Sequence, residues 1–274
     1  MATQTQSISI ACDDRTELQQ RLNCLYEYQN DILTKVYHRS RLVLFQRMVR
    51  ELIGDGVIRG FESALDIGCN AGFYSRLISD FGFRNVLGID ISAKYVAKAN
   101  QEFGTDQPDK RIAFEVMNAA DLLGAKKKYD FILCTEVIEH TGNREAVIAS
   151  IMELLTPGGI AVISLPNCVS LGFLTTYAGS VLRGREMSQD LRDHLSFPFY
   201  KGPALFKEKG ARIVRTAGVN CLFNSPLTLL LHDTPLFDPL NSLNFWLSAR
   251  APLKWLSQFF FFVITRDTSQ ATRG

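Results

Sequence analysis

The chain changes its hydrophobic rhythm once, near Gly60. From Asp13 to Ile53, apolar residues such as Leu18, Leu22, Leu25, Ile32, Leu33 and Val36 recur mostly at three- and four-residue intervals, which predicts helices. The last of these runs, Arg41 to Ile53, is stopped by Gly54-Asp55-Gly56. Beyond Gly60, short apolar runs alternate with helical stretches. Strands are predicted at 63–67, 85–89, 112–116, 131–134 and 161–165, with helices at 73–81, 93–102 and 144–155 between them. Two further strands, 212–216 and 259–265, bring the count to seven. Such alternation predicts an α/β fold, a doubly wound and mostly parallel seven-stranded sheet with helices on both faces. Ligands of these sheets sit beyond the carboxyl ends of the strands, so the loops there are where chemistry is expected.

Four segments follow from the pattern. Residues 1–59 read as an N-terminal helical cap behind a polar start, and 60–218 as the α/β core. Within the core, 171–182 is helical, 183–193 is a polar loop and 203–209 is a short helix. Residues 219–257 form an apolar insertion rich in Leu, Phe, Trp and Pro, and 258–274 hold the last strand and the tail. Loops as long as this insertion are usually functional or structured in their own right.

Composition narrows the class. Of the 274 residues, 46% are hydrophobic and 21% charged, and the formal net charge is +2. A sizeable core is therefore expected, and nucleic acid is not a predicted partner. Six cysteines (Cys12, Cys24, Cys69, Cys134, Cys168 and Cys221) form no Cys-x-x-Cys pair, and the start lacks a signal-peptide pattern. The apolar run 258–265 is too short to span a bilayer. These features predict a cytoplasmic protein with reduced thiols.

The most informative segment is Leu65-Asp66-Ile67-Gly68-Cys69-Asn70-Ala71-Gly72, where a strand runs through two glycines into a helix. Glycine lets the backbone turn sharply and approach a ligand closely. A dinucleotide fingerprint would place a further glycine at the position of Asn70, which argues against a nicotinamide-dependent dehydrogenase. The next strand ends at Asp90, whose two carboxylate oxygens can accept from both hydroxyls of a ribose.

These residues, with Gly88-Ile89-Asp90-Ile91-Ser92 and Leu154-Leu155-Thr156-Pro157-Gly158-Gly159, resemble the motifs of class I S-adenosylmethionine-dependent methyltransferases over about residues 60–218. The resemblance implies the Rossmann-like methyltransferase fold and S-adenosyl-L-methionine as cofactor. It places Asp66 near the methionine end and gives Gly68, Cys69, Asn70 and Gly72 to the backbone cradle. Asp90 would hold the ribose and Ile91 would pack on the adenine. Asn118 and Ala119 would lie at the adenine edge, and Thr135 at the end of the fourth strand.

That fourth strand ends in Thr135-Glu136-Val137-Ile138-Glu139-His140, in the loop facing the sulfonium in this fold. The cluster resembles the Glu-x-x-Glu-His of quinone-biosynthesis O-methyltransferases and of small-RNA 3′-end methyltransferases. In those relatives such groups can hold a divalent metal, and a further histidine would come from downstream, where His194 is the candidate. Glu136, Glu139, His140 and His194 are thus candidate ligands of an ion such as Mg²⁺, Mn²⁺ or Fe²⁺. They are equally candidate catalytic groups, with His140 as base in a metal-independent reading. The near-neutral charge disfavours the small-RNA branch. His38 and His232 read as surface or packing residues.

Large apolar residues recur around the expected mouth: Phe173, Tyr177, Phe197, Phe199, Phe223, Phe237, Phe245 and Trp246, with Tyr26, Tyr28 and Tyr37 on the first helices. They predict a small, largely apolar or aromatic acceptor. The resemblance to O-methyltransferases makes oxygen the expected nucleophile, with nitrogen as the alternative. Phe245, Trp246, Leu247, Lys254 and Trp255 also offer an alternative role in peripheral membrane contact. A monomer or homodimer is expected. A non-catalytic nucleotide-binding regulator is the rival of another class.

Overall fold

A computed structural model describes residues 32–267, apart from 123, 183, 185, 187–188, 220, 222–230, 232–233, 249 and 251. The expected residues Leu18, Leu22, Tyr26, Tyr28, Phe223 and His232 lie outside this set, as do the side chains of Tyr37, His38 and Phe245.

The described chain opens with one long helix, α1 (Ile32–Gly54), followed by β1 (Ser63–Ile67), α2 (Phe73–Asp80), β2 (Asn85–Asp90) and α3 (Ala93–Phe103). Then come β3 (Thr105–Gln107), β4 (Lys110–Val116), β5 (Tyr129–Cys134), α4 (Arg144–Leu154) and β6 (Leu155–Pro166). The last third holds α5 (Leu171–Leu182), α6 (Gln189–Ser196), α7 (Gly202–Glu208), β7 (Ala211–Val219), α8 (Phe237–Ser248) and β8 (Phe259–Arg266).

All eight strands join one sheet in the order β3-β4-β2-β1-β5-β6-β8-β7. Pairs from β4 through β6 are parallel, while β8 runs antiparallel to both β6 and β7. The seven expected strands are all present. The additional strand, β3, is a three-residue edge piece paired antiparallel with β4. Its residues Thr-Asp-Gln carry no apolar alternation, so the pattern gave no sign of it. A second departure is α6, in a stretch read as a polar loop; its sequence QDLRDHLS lacks an apolar stripe wide enough to announce a helix.

Side-chain alternation along the strands builds two cores. Phe131, Leu133, Phe261 and Val263 pack on one face with Leu42, Phe45 and Val49 of α1 and Phe73 and Leu77 of α2. Ile132, Cys134, Phe260 and Phe262 pack on the other with Val147, Ile148 and Ile151 of α4 and Phe206 of α7. Each large apolar side chain fully removed from water contributes roughly 1.5–3 kcal/mol. Arg215 of β7 ties α1 to the sheet through Glu51 at 3.0 Å and Asp55 at 2.7 Å. The strand order reverses between β1 and β5, so the loops after these two strands face each other across the crevice where such sheets bind ligands.

Candidate active site

The loop after β1 is shaped for close approach to a ligand. Gly68, Asn70 and Gly72 all have positive φ, at 75°, 48° and 84°. A Cβ on Gly68 would lie 2.2 Å from Cγ2 of Val137, in the loop after β5. At Gly72 it would lie 2.6 Å from the Phe114 ring. Only backbone fits between the two loops at the first position, and only glycine lets α2 seat on β4 at the second.

Asp90 organises the second wall. Its Oδ2 accepts from the Asn70 amide at 2.9 Å and its Oδ1 from the Ser92 amide at 2.9 Å. Ser92 in turn caps α3 by accepting from the Tyr95 amide. Each carboxylate oxygen has further lone pairs, so this acid is held in place and can still receive hydroxyl donors. Flanking it, Ile91 is 72% exposed and Val116, its neighbour at the end of β4, is 56% exposed. Two apolar side chains left bare beside a fixed carboxylate suit a flat base attached to a ribose. Asn118 is exposed and accepts from the Ala120 amide at 3.0 Å, starting the short turn 119–122, while Ala119 is buried.

Asp66 lies at the end of β1, 1% exposed, and accepts from the Ser75 hydroxyl at 2.6 Å. Burial pushes its carboxyl up to about 7, and the nearby Asp90 charge adds to the rise. A buried acid in this range is ready to meet a cation. The four described cysteines are free. Burial raises the thiols of Cys69 and Cys134 far beyond neutrality, so neither serves as a nucleophile or soft metal ligand.

The loop after β5 carries the candidate catalytic cluster. Thr135 is buried, and Glu136 takes the left-handed conformation at φ 55°, its amide donating to Ser164 Oγ at 2.8 Å. Positive φ in a side chain longer than Asn is a local strain that the surroundings must hold. The turn sends Glu136 toward α1, where its carboxylate pairs with Arg41. Arg41 is itself buried and donates to the Tyr74 hydroxyl at 3.2 Å.

Glu139, His140 and His194 come together: their ligating atoms all lie within 4.8 Å of one another. Of the four residues grouped from the sequence, Glu136 is therefore the one placed elsewhere, because its backbone turn directs it to Arg41. Glu139 is buried at 1% exposure and His140 reaches the surface. His140 Nδ1 lies 3.0 Å from Asp193 Oδ2, and its ring is 5.7 Å from that of His194. Asp193 was missed from the sequence because it sits on α6, where no helix was expected; the Asp193-His194 adjacency was the available signal. Arg144 was missed too. It donates to the carbonyls of Ile138 (3.3 Å) and Glu139 (3.1 Å) and to Ser196 Oγ, binding the turn that carries His140 to the end of α6.

The expected aromatic lining divides. Phe197, Phe199 and Phe237 are buried, and Phe199 stacks on Phe260 of β8 at 4.1 Å, so these belong to packing. Phe173 is half-buried, while Tyr177 and Trp246 are exposed.

Residues 65–163 match the profile of a family described as a methyltransferase domain. The chain is 28% identical over 195 residues to a ubiquinone biosynthesis O-methyltransferase of Paraburkholderia phytofirmans, covering 69% of this chain and 78% of the relative. A protein of the same name from Rickettsia typhi is 33% identical over 113 residues, 40% of this chain and 43% of that one. Among solved structures, the fold is similar to magnesium protoporphyrin IX methyltransferase from Synechocystis PCC 6803 with bound S-adenosylhomocysteine. That likeness has a TM-score of 0.58 at 18% identity, covering 91% of this chain and 93% of that one. A SAM-dependent methyltransferase from Archaeoglobus fulgidus gives a TM-score of 0.52 at 15% identity, covering 81% and 93%.

Proposed function

The chain is a class I S-adenosylmethionine-dependent methyltransferase, and from that premise we propose that it methylates an oxygen of a small, largely apolar or aromatic acceptor. The observation that carries this reading is the Asp193–His140 pair at the carboxyl end of β5. A hydroxyl acceptor must lose a proton as it attacks, whereas an amine that arrives unprotonated need not. A carboxylate can only accept, so Asp193 fixes the imidazole proton on Nδ1 and puts the basic lone pair on Nε2. The names of the ubiquinone-biosynthesis relatives point the same way. Nitrogen is the alternative acceptor.

When bound, S-adenosylmethionine supplies a methyl carbon made electrophilic by its sulfonium. On this reading Asp90 receives the ribose hydroxyls, and Ile91 packs on the adenine beside Asn118 and Ala119. Gly68, Cys69, Asn70 and Gly72 shape the cradle, and Asp66 and Thr135 flank the methionine end. Positioning supplies most of the acceleration, roughly 7–11 kcal/mol where both partners are well oriented. General-base help from His140 adds a further ~10²–10⁴-fold.

A second reading is favoured by the meeting of Glu139, His140 and His194. One carboxylate and two imidazoles suit a divalent cation such as Mg²⁺ or Mn²⁺, with Asp193 orienting His140 from outside the ligand set. Such an ion would acidify an acceptor hydroxyl held beside it. Free cysteines fit a reducing compartment such as the cytoplasm. The test is transfer from S-adenosylmethionine to phenolic, amine and carboxylic acceptors, with the product's new bond assigned. Methyl ethers are expected; binding of S-adenosylhomocysteine without turnover on any acceptor would favour the regulator.

A further inference from the structure

Helix α8 carries apolar residues on both faces, with Leu240 packed inward against Phe237. Its buried residues include Phe237, but also Asn244 and Ser248, both fully buried. Leu243 and Trp246 are exposed at 45% and 51%. With Leu236 just before the helix, they follow spacings of seven and three, which place them on one face, and Arg250 continues that face one turn beyond Trp246. The turn 253–256 adds Leu253, Trp255 and Leu256, each more than a third exposed. Cys221 joins the two pieces, its amide donating to Ser248 Oγ at 3.1 Å and its thiol lying 3.2 Å from the Leu253 carbonyl. An outward stripe of Leu and Trp over buried polar groups is what a helix covered by a partner presents.

The charges on this surface select the partner. From Leu236 to Leu256 the ionisable side chains are Asp238, at the start of α8, and the two cations Arg250 and Lys254 at the far end of the patch. Each cation sits over an exposed indole: Arg250 at 3.9 Å from the Trp246 centroid and Lys254 at 4.9 Å from that of Trp255. Trp255 is anchored on its inner side against Phe199 and Phe260. Indoles paired with snorkelling cations match the boundary between acyl chains and anionic headgroups. A soluble protein partner with an apolar groove would not need both cations. No described helix is long and apolar enough to cross a bilayer, so contact would be from one side.

We propose that α8 and the turn 253–256 dock this protein on an anionic lipid surface. The patch borders the reaction site. β7 ends at Val219, β8 begins at Phe259 opposite it, and His194 packs edge-on against Phe259 at 5.8 Å. Docking there brings the mouth of the site to the membrane, where an apolar acceptor concentrates. That consequence rests on the acceptor reading above; the docking itself does not.

Trp246 and Trp255 are the only two tryptophans of the chain, so its intrinsic emission reports the patch directly. The test adds phosphatidylcholine vesicles with or without phosphatidylglycerol to the full-length protein, following emission and co-sedimentation. Phosphatidylglycerol vesicles should shift the emission to the blue and sediment the protein, and raised salt should weaken both. Replacing two cations near an anionic surface, as in R250Q/K254Q, should lower vesicle affinity at least about tenfold. W246S should weaken it too, at a half-exposed position outside both cores. Both variants should keep wild-type turnover on a water-soluble phenolic acceptor. No vesicle binding, or equal binding without phosphatidylglycerol, overturns the proposal. A dimer in vesicle-free solution that W246S dissociates would assign the surface to a second copy and also overturn it. An enzyme active on the soluble acceptor but silent toward vesicles would refute docking alone. Vesicle binding without turnover on any acceptor would refute the acceptor reading alone.

Discussion

Asp193 Oδ2 accepts from His140 Nδ1 at 3.0 Å, across 53 positions of sequence and between the loop after β5 and α6. The contact brings α6 to the candidate site and fixes which ring nitrogen can take a proton. If this pair drives hydroxyl deprotonation, His140→Ala should lower kcat at least about tenfold. Asp193→Asn should lower kcat in the same direction through the tautomer it permits. The dissociation constant for S-adenosylhomocysteine should stay within about twofold in both, since neither residue is among those proposed to hold the cofactor. A kcat unchanged in His140→Ala would remove the base from the mechanism.

Asp66 gives a pH dependence with a definite sign. Its carboxyl is raised from 3.8 to about 7 by burial first and Asp90 second. A folded pKa above the unfolded one contributes stability that is full below about 4 and is lost as the pH rises through about 7. The cofactor-free protein should therefore lose thermal stability between these values. Asp66→Asn, which stays neutral, should flatten that part of the profile. A wild-type Tm unchanged across the window would contradict the burial argument.

The Arg41–Glu136 pair couples α1 to the strained turn after β5. Removing Arg41 strands the partly exposed Glu136 carboxylate, at a cost of about 1–3 kcal/mol. Arg41→Ala should thus destabilise the fold more than Arg41→Ala combined with Glu136→Gln. Denaturant unfolding of the two singles and the double measures this coupling, and strictly additive effects would refute it.

Metal dependence separates the two mechanistic readings. If Glu139, His140 and His194 hold a cation, chelation should abolish turnover, and Mg²⁺ or Mn²⁺ should restore it. Glu136→Gln should leave metal affinity unchanged, since its carboxylate is engaged by Arg41. Full activity after exhaustive chelation would leave His140 acting as base alone.

What the sequence showed and what it hid follow from range. The turn after β1 was legible because Gly68, Asn70, Gly72 and Asp90 meet through short backbone contacts whose spacing a strand and a turn impose. The reaction cluster was only half legible. Glu139 and His140 adjoin in the chain, but Asp193 and Arg144 reach them through tertiary contacts that no local periodicity encodes. Glu136 looked like a partner of Glu139 until a positive φ turned it toward α1. In the same way, apolar residues on α8 and around Phe199 read alike in sequence. Only burial distinguishes Phe199, stacked on β8, from Trp246, which faces out.

Methyl transfer to oxygen is read out by supplying S-adenosylmethionine labelled with ¹³C in its methyl group, together with a catechol bearing an apolar tail. The expected product has the ¹³C resonance of an aryl methyl ether, lost when S-adenosylhomocysteine is added in excess. Label appearing on nitrogen or carbon of competing acceptors, and never on the catechol oxygen, would contradict it.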